Sequence, residues 1–212
     1  MSITLIIIII TAIVSFVAFS NERLNDQLIF APTAVTNHNQ WYRFFSCALI
    51  HADTGHLVFN MLSLYFFGEK VEASFHYIFG EAGGILYIAL YVLSQFLCLI
   101  PTYFKHKDDY YYRSLGASGA VSAVIFAGIV LFPLEKIYLM FIPIGIPGFI
   151  FGFLYLGITA YLDRQGRGNI NHSAHLYGAI TGIIILLIFG FTLSPFNLVE
   201  NFLLQVKGFG NG

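Results

Sequence analysis

Ser118 stands in the short sequence Gly116-Ala117-Ser118-Gly119. His175 opens an apolar segment further along the chain, and His56 and Asn60 lie four residues apart at the start of another. A serine hydroxyl is a weak nucleophile until a base takes its proton. A histidine, with an ordinary pKa near about 6.5, suits that task at neutral pH. Attack on a carbonyl creates an oxyanion, which needs donors aimed at it. At helical spacing His56 and Asn60 project from one face, and they offer a ring N–H and an amide NH2. A helix opening at Ser118 adds free backbone N–H groups and the positive end of a dipole. Nucleophile, base and oxyanion donors are therefore all available.

The elements that must bring these residues together are membrane helices. The chain of 212 residues is 58% hydrophobic, 17% aromatic and 10% charged, whereas a soluble domain is about 25% charged. A soluble fold of this size leaves too much area in water to hide so much apolar surface. A net charge of −1 leaves no electrostatic footprint for nucleic acid. Cys47 and Cys98 make no disulfide framework, and Cys98, inside an apolar run, reads as packing.

A spanning helix needs about 20 mainly apolar residues. Six segments qualify, at about 3–20, 56–78, 83–104, 115–134, 147–162 and 171–192. The first lacks the basic flank of a signal peptide and is read as a retained helix. A polar, aromatic interfacial loop fills 21–55, Pro143 and Pro147 divide the uncharged run 137–162 so that an apolar interfacial loop fills 137–146, a hairpin loop occupies 163–168, and 193–212 is a tail. The expected fold class is an all-α polytopic membrane protein with six transmembrane helices, one domain over 1–212.

The polar residues within these spans are not scattered. Polar groups at membrane depth are expensive and mark function by default. His56 and Asn60 open the second span, Ser118 the fourth, and Asn171, His172 and His175 the sixth. Consecutive spans alternate direction, so all three openings face one side of the bilayer, whichever way the chain inserts. Gly116 and Gly119 leave room beside the serine. Gly178 and Gly182 follow His175 at i+3 and i+7, and small residues at four-residue spacing let membrane helices approach closely. That approach would seat the sixth span on the Gly119/Ala120 side of the fourth and bring His175 to Ser118.

From Trp41 to Gly182 the chain resembles the rhomboid intramembrane serine proteases. Gly116–Gly119 resembles their GxSG motif, and Ala174-His175-Leu176-Tyr177-Gly178-Ala179-Ile180-Thr181-Gly182 resembles AHxxGxxxG. His56-Leu57-Val58-Phe59-Asn60 resembles HxxxN, His51 matches a further upstream histidine, and Trp41-Tyr42-Arg43 resembles W-x-R. The resemblance implies a Ser118–His175 dyad without a third acid. It implies an oxyanion hole of His56, Asn60 and the Ser118 backbone N–H, with Gly116 beside them, and a structural role for the loop that carries Trp41 and Arg43. Glu72 matches a family glutamate, expected buried and hydrogen-bonded. Substrates would be single-span membrane proteins cut in or beside the span, with no cofactor and no metal. The implied location is a bacterial inner membrane, with the site toward the outer face. Two features depart from the pattern. Ser122 stands where family members carry an aromatic packed on the histidine. The implied orientation also puts three Lys and Arg residues (Lys70, Lys136, Lys207) on the N-terminal side against seven on the other, the reverse of the positive-inside rule.

Other readings compete with this one. His51, His56, His172 and His175 share one face, and His172 and His175 have a spacing that can hold zinc. That reading leaves Ser118 and its glycines unexplained. A small polytopic transporter would show repeats and polar groups along a path across the bilayer. A catalytically silent rhomboid-like scaffold would lack the serine or the histidine. Taken singly, Trp41 and Arg43 read as interfacial anchors, His51 as loop structure, Asn171 and His172 as helix caps, and Gln95 as an interhelical hydrogen bond.

Overall fold

The computed structural model of the protein describes residues 1–138, 144–165 and 171–209, and 79% of it is helical. In chain order the helices are α1 (Ile3–Phe19), α2 (Glu22–Leu28), α3 (Pro32–His38), α4 (Arg43–Ser46), α5 (Thr54–Phe79), α6 (Gly83–His106), α7 (Ser118–Leu131), α8 (Gly148–Gln165), α9 (His172–Leu193) and α10 (Leu198–Phe209). Strands β1 (Lys136–Tyr138) and β2 (Gly145–Pro147) pair antiparallel, with Ile137 opposite Ile146. Among the described residues, Thr54–His106, which holds α5 and α6, and His172–Leu193 are long and apolar enough to cross a membrane; α1 and α7 are shorter apolar helices.

The polarity of α1 is inside out. It buries Thr4, Thr11, Ser15 and Ala18 and exposes Ile6, Ile9, Ile10, Ile13, Phe16 and Val17. Small and hydroxyl side chains let it lie close against α5, as expected where helices pack without a hydrophobic driving force. Its first turn is held by Glu72, whose carboxylate accepts the Ile3 and Thr4 N–H groups at 2.7 and 2.8 Å and the Thr4 hydroxyl at 2.8 Å. A carboxylate there satisfies orphan donors and complements the helix dipole.

The axis of the bundle is α7. Eleven of its 14 residues are buried, with α5, α6 and α9 packed around it. Gly119, Ala120, Ala123 and Ala127 make this close packing possible. At 1.5 Å per residue α7 is about 21 Å long, against about 39 Å for α5 and about 33 Å for α9. Ser118, at its first residue, is half-buried.

Several element bounds differ from the sequence reading. The interfacial loop at 21–55 is largely helical, with α2, α3, α4 and a 3-10 turn over Cys47–Leu49. Helix α5 begins two residues early, because Asp53 caps it by accepting the His56 N–H at 2.8 Å. Helix α7 spans Ser118–Leu131 rather than 115–134, since Gly116 has φ +110° and Pro133 follows its end. Part of the apolar loop is the β1–β2 hairpin, and the tail holds α10, where Phe209 packs edge-on against Phe149. Within those expected loops and tail, 139–143, 166–168 and 210–212 lie outside the described residues.

Candidate active site

The N-terminal ends of α5, α7 and α9 meet at one end of the bundle. His175 Nε2 lies 2.7 Å from Ser118 Oγ. The close approach of α9 to α7 makes this distance possible. A Cβ on Gly178 would collide with the Gly119 carbonyl oxygen, and one on Gly182 with that of Ala123. Glycine at both positions lets the two backbones touch and sets His175 one turn above the contact. Gly119 is confined on its other face by Cys98 Sγ, so Cys98 is packing beneath the serine turn and, like Cys47, a free thiol.

Asn171 fixes the start of α9. Its Oδ1 accepts the Ala174 N–H at 3.0 Å and the Thr102 hydroxyl at 3.2 Å, and its Nδ2 donates to Ser114 Oγ at 3.3 Å. One side chain thus caps α9 and ties it to α6 and to the loop before Ser118. The His172 ring stands 6.3 Å from that of His175, centroid to centroid.

The segment before Ser118 is held from beneath. The Gly116 N–H donates to the Cys47 carbonyl at 2.9 Å, and His51 Nε2 accepts the Ala117 N–H at 3.4 Å. Gly116, which the resemblance places beside the oxyanion donors, has its own N–H spent on the Cys47 carbonyl. Its role is steric: at φ +110° only glycine is unstrained, and a Cβ there would sit 2.7 Å from His56 Cε1. The Ser118 and Gly119 N–H groups, in the first turn of α7, have no helical acceptor.

His56 packs over Gly116 and meets the His51 ring edge-on at 4.9 Å. Asn60, buried one turn further along α5, donates through Nδ2 to the His56 carbonyl at 2.9 Å, leaving its second amide hydrogen free. His51 itself is fully buried, and burial, with His56 beside it, lowers its pKa to about 4.

Arg43 is no interfacial anchor. It is 7% exposed, and its guanidinium donates to Gln40 Oε1 at 2.6 Å and to the Asp26 and Ile29 carbonyls at 2.8 and 2.6 Å. It closes the 21–55 segment on itself. Trp41 is half exposed and stacks on Phe44 at 5.8 Å. Gln95 makes the expected interhelical hydrogen bond, donating from α6 to the Phe44 carbonyl of α4 at 3.1 Å. Ser122, in place of an aromatic, faces Tyr155 of α8, hydroxyl to hydroxyl at 3.2 Å. Neither Tyr155 nor Ser15, whose hydroxyl lies 3.0 Å from His51 Nδ1, carried a sequence signal of a role near the site. Among the described residues, no three His, Cys, Asp or Glu side chains gather as a metal-binding group.

The chain is similar in sequence to known proteins. A family model described as "Rhomboid domain" matches residues 38–191. "RHOMBOID-like protein 12, mitochondrial" of Arabidopsis thaliana is 34% identical over 149 residues, 65% of this chain and 43% of that protein. "Putative rhomboid protease YdcA" of Bacillus subtilis (strain 168) is 29% identical over 150 residues, 70% of this chain and 67% of that protein. The chain thus spans less than half of the plant relative's length. The expected bacterial inner membrane gains no support from this pair, because one of the two is mitochondrial. The matched segment runs from just before Trp41 to near the end of α9 and contains all the residues that converge on Ser118, so the chain belongs to the rhomboid family.

Proposed function

We propose that this protein is an intramembrane serine endopeptidase that cuts single-span membrane proteins in or beside their spans. The observation that carries the reading is the 2.7 Å approach of His175 Nε2 to Ser118 Oγ at the start of α7. In the proposed reaction His175 Nε2 takes the Ser118 proton as Oγ attacks the scissile carbonyl. The bond to the leaving amine breaks as the imidazolium returns that proton, leaving an acyl-enzyme. Water, deprotonated by the same imidazole, then releases the acid and restores Ser118. The oxyanion is held by the Ser118 N–H, the free Asn60 amide hydrogen and the His56 ring. No metal or cofactor takes part in this scheme.

Six helices, α1 and α5–α9, cross the membrane in this reading. A bilayer core of about 30 Å exceeds the length of α7, which in this reading sets Ser118 below the membrane surface. The site faces outward, and reporter fusions in the loop after α8 and at Gly212 test that orientation. The activity is tested by a fluorophosphonate probe on detergent-solubilised protein. Wild type is labelled and Ser118→Ala is not; equal labelling removes Ser118 as nucleophile. Cleavage of a model membrane substrate that persists at the wild-type rate in Ser118→Ala would overturn the dyad.

A further inference from the structure

At the end of the bundle away from Ser118 lies a cavity of about 410 Å³ between α5, the end of α7, β1 and the start of α8. Gly128 and Ile129, in its wall, lie about 15 Å beyond Ser118 along α7 at 1.5 Å per residue. The cavity is therefore separate from the serine site. Its wall is apolar, with Phe66, Phe67, Val71, Ile129 and Ile137, and its volume is that of a small-molecule site.

The rim is charged. Lys70 pairs with Glu135, and Lys136 makes no ion pair among the described residues. Two lysines and one glutamate leave a net positive rim. Of the ten Lys and Arg residues in the chain, three were expected on this side of the bilayer, and two of those three border this cavity. The sparse positive charge of this side is concentrated where an apolar hollow opens.

The geometry points to a binding site for an anionic phospholipid of the leaflet opposite the active site. An acyl chain fills the hollow among Phe66, Phe67, Val71 and Ile137, and the headgroup phosphate meets Lys136 and Lys70. Basic pockets between membrane helices hold anionic headgroups in this way, and lysine stems reach a headgroup from slightly greater depth. The site rests on membrane embedding and not on the chemistry of Ser118, so it stands or falls separately from the protease reading.

Native mass spectrometry of the full chain, released from mixed micelles of detergent with phosphatidylcholine or phosphatidylglycerol, tests this directly. Phosphatidylglycerol adducts are expected to survive at several-fold higher occupancy than phosphatidylcholine adducts. Lys136→Gln is expected to weaken phosphatidylglycerol retention about fivefold, the effect of one basic residue near a charged headgroup. Ile137→Trp, which fills the hollow and leaves the charges in place, is expected to lose it too. Arg164→Gln, at the other end of the bundle, is expected to retain it. Equal occupancy by the two lipids overturns the site, as does retention unaffected by both Lys136→Gln and Ile137→Trp. Inorganic phosphate that displaces the lipid at equal concentration would mark a free-anion site and overturn it, and so would an adduct at the mass of a second chain.

Discussion

His51 Nε2 accepts the backbone N–H of Ala117, the residue before the nucleophile. The other side of the ring settles the tautomer. Ser15 Oγ donates to the Leu49 carbonyl at 2.9 Å, so toward His51 Nδ1, at 3.0 Å, it is the acceptor. Nδ1 therefore carries the proton and Nε2 does not. The relay from α1 through His51 to the start of α7 exists only with a neutral ring, and protonation would set two N–H groups against each other.

Acid sensitivity follows. His51 titrates near 6.5 when unfolded and near 4 in the fold. Between these values the unfolded chain binds more protons, so stability falls as pH falls through that window and is fully present above it. Thermal unfolding in detergent at pH 7 and pH 4.5 reads this. Wild type should lose more of its midpoint than His51→Gln, whose stability begins lower; parallel losses would remove His51 as the source.

The α7–α9 contact predicts a steep steric effect. Gly178→Ala places a methyl against the Gly119 carbonyl, backbone against backbone, where neither helix can yield locally. Overpacking of this kind costs about 1–3 kcal/mol, and relief by helix separation would draw His175 away from Ser118. A lower unfolding midpoint together with lost probe labelling is expected. Wild-type values for both would mean that the helices are less tightly apposed.

The convergence on Ser118 was legible because it rests on topology and spacing. Alternation of spans placed His56, Ser118 and His175 on one side, and Gly178 and Gly182 marked the face that would touch α7. The helical content of 21–55 was hidden because its cohesion is local and polar. Arg43 binds carbonyls of residues up to 17 positions away, and backbone acceptors leave no trace in side-chain patterning. The motif set Gly116 beside the hole as a room-making glycine, but that its N–H is consumed was hidden, because the acceptor is the distant Cys47 carbonyl. The packing face of α1 was readable in retrospect: Thr4, Thr11, Ser15 and Ala18 recur at helical intervals in a run of isoleucines.

Glu72 is expected to act on stability alone. Glu72→Ala strips the Ile3 and Thr4 N–H groups and the Thr4 hydroxyl of their acceptor. Each buried group left unpaired costs about 1–3 kcal/mol. The unfolding midpoint should drop markedly, while probe labelling below that midpoint persists. Labelling lost in the folded protein would show that α1 also shapes the site.

Ser122 and Tyr155 form a polar link between α7 and α8. Ser122→Ala, Tyr155→Phe and the double variant make a cycle in which each single change removes one hydroxyl. A coupling of about 0.5–1.5 kcal/mol is expected, the net worth of one hydrogen bond. Strict additivity would mean that the hydroxyls do not bond to each other.

Asn60 separates oxyanion binding from simple architecture. Its Nδ2 already holds the His56 carbonyl, which fixes the amide and leaves one hydrogen to donate. An interaction made only in the transition state lowers kcat and kcat/KM together and leaves KM in place. Asn60→Ala should therefore reduce kcat by about 10²–10³-fold with KM little changed. Asn60→Asp, which keeps the shape but lacks the amide donor, should be equally slow. If Asn60→Asp instead cleaves at the wild-type rate, neither the free amide hydrogen nor the bond to the His56 carbonyl has a part in catalysis.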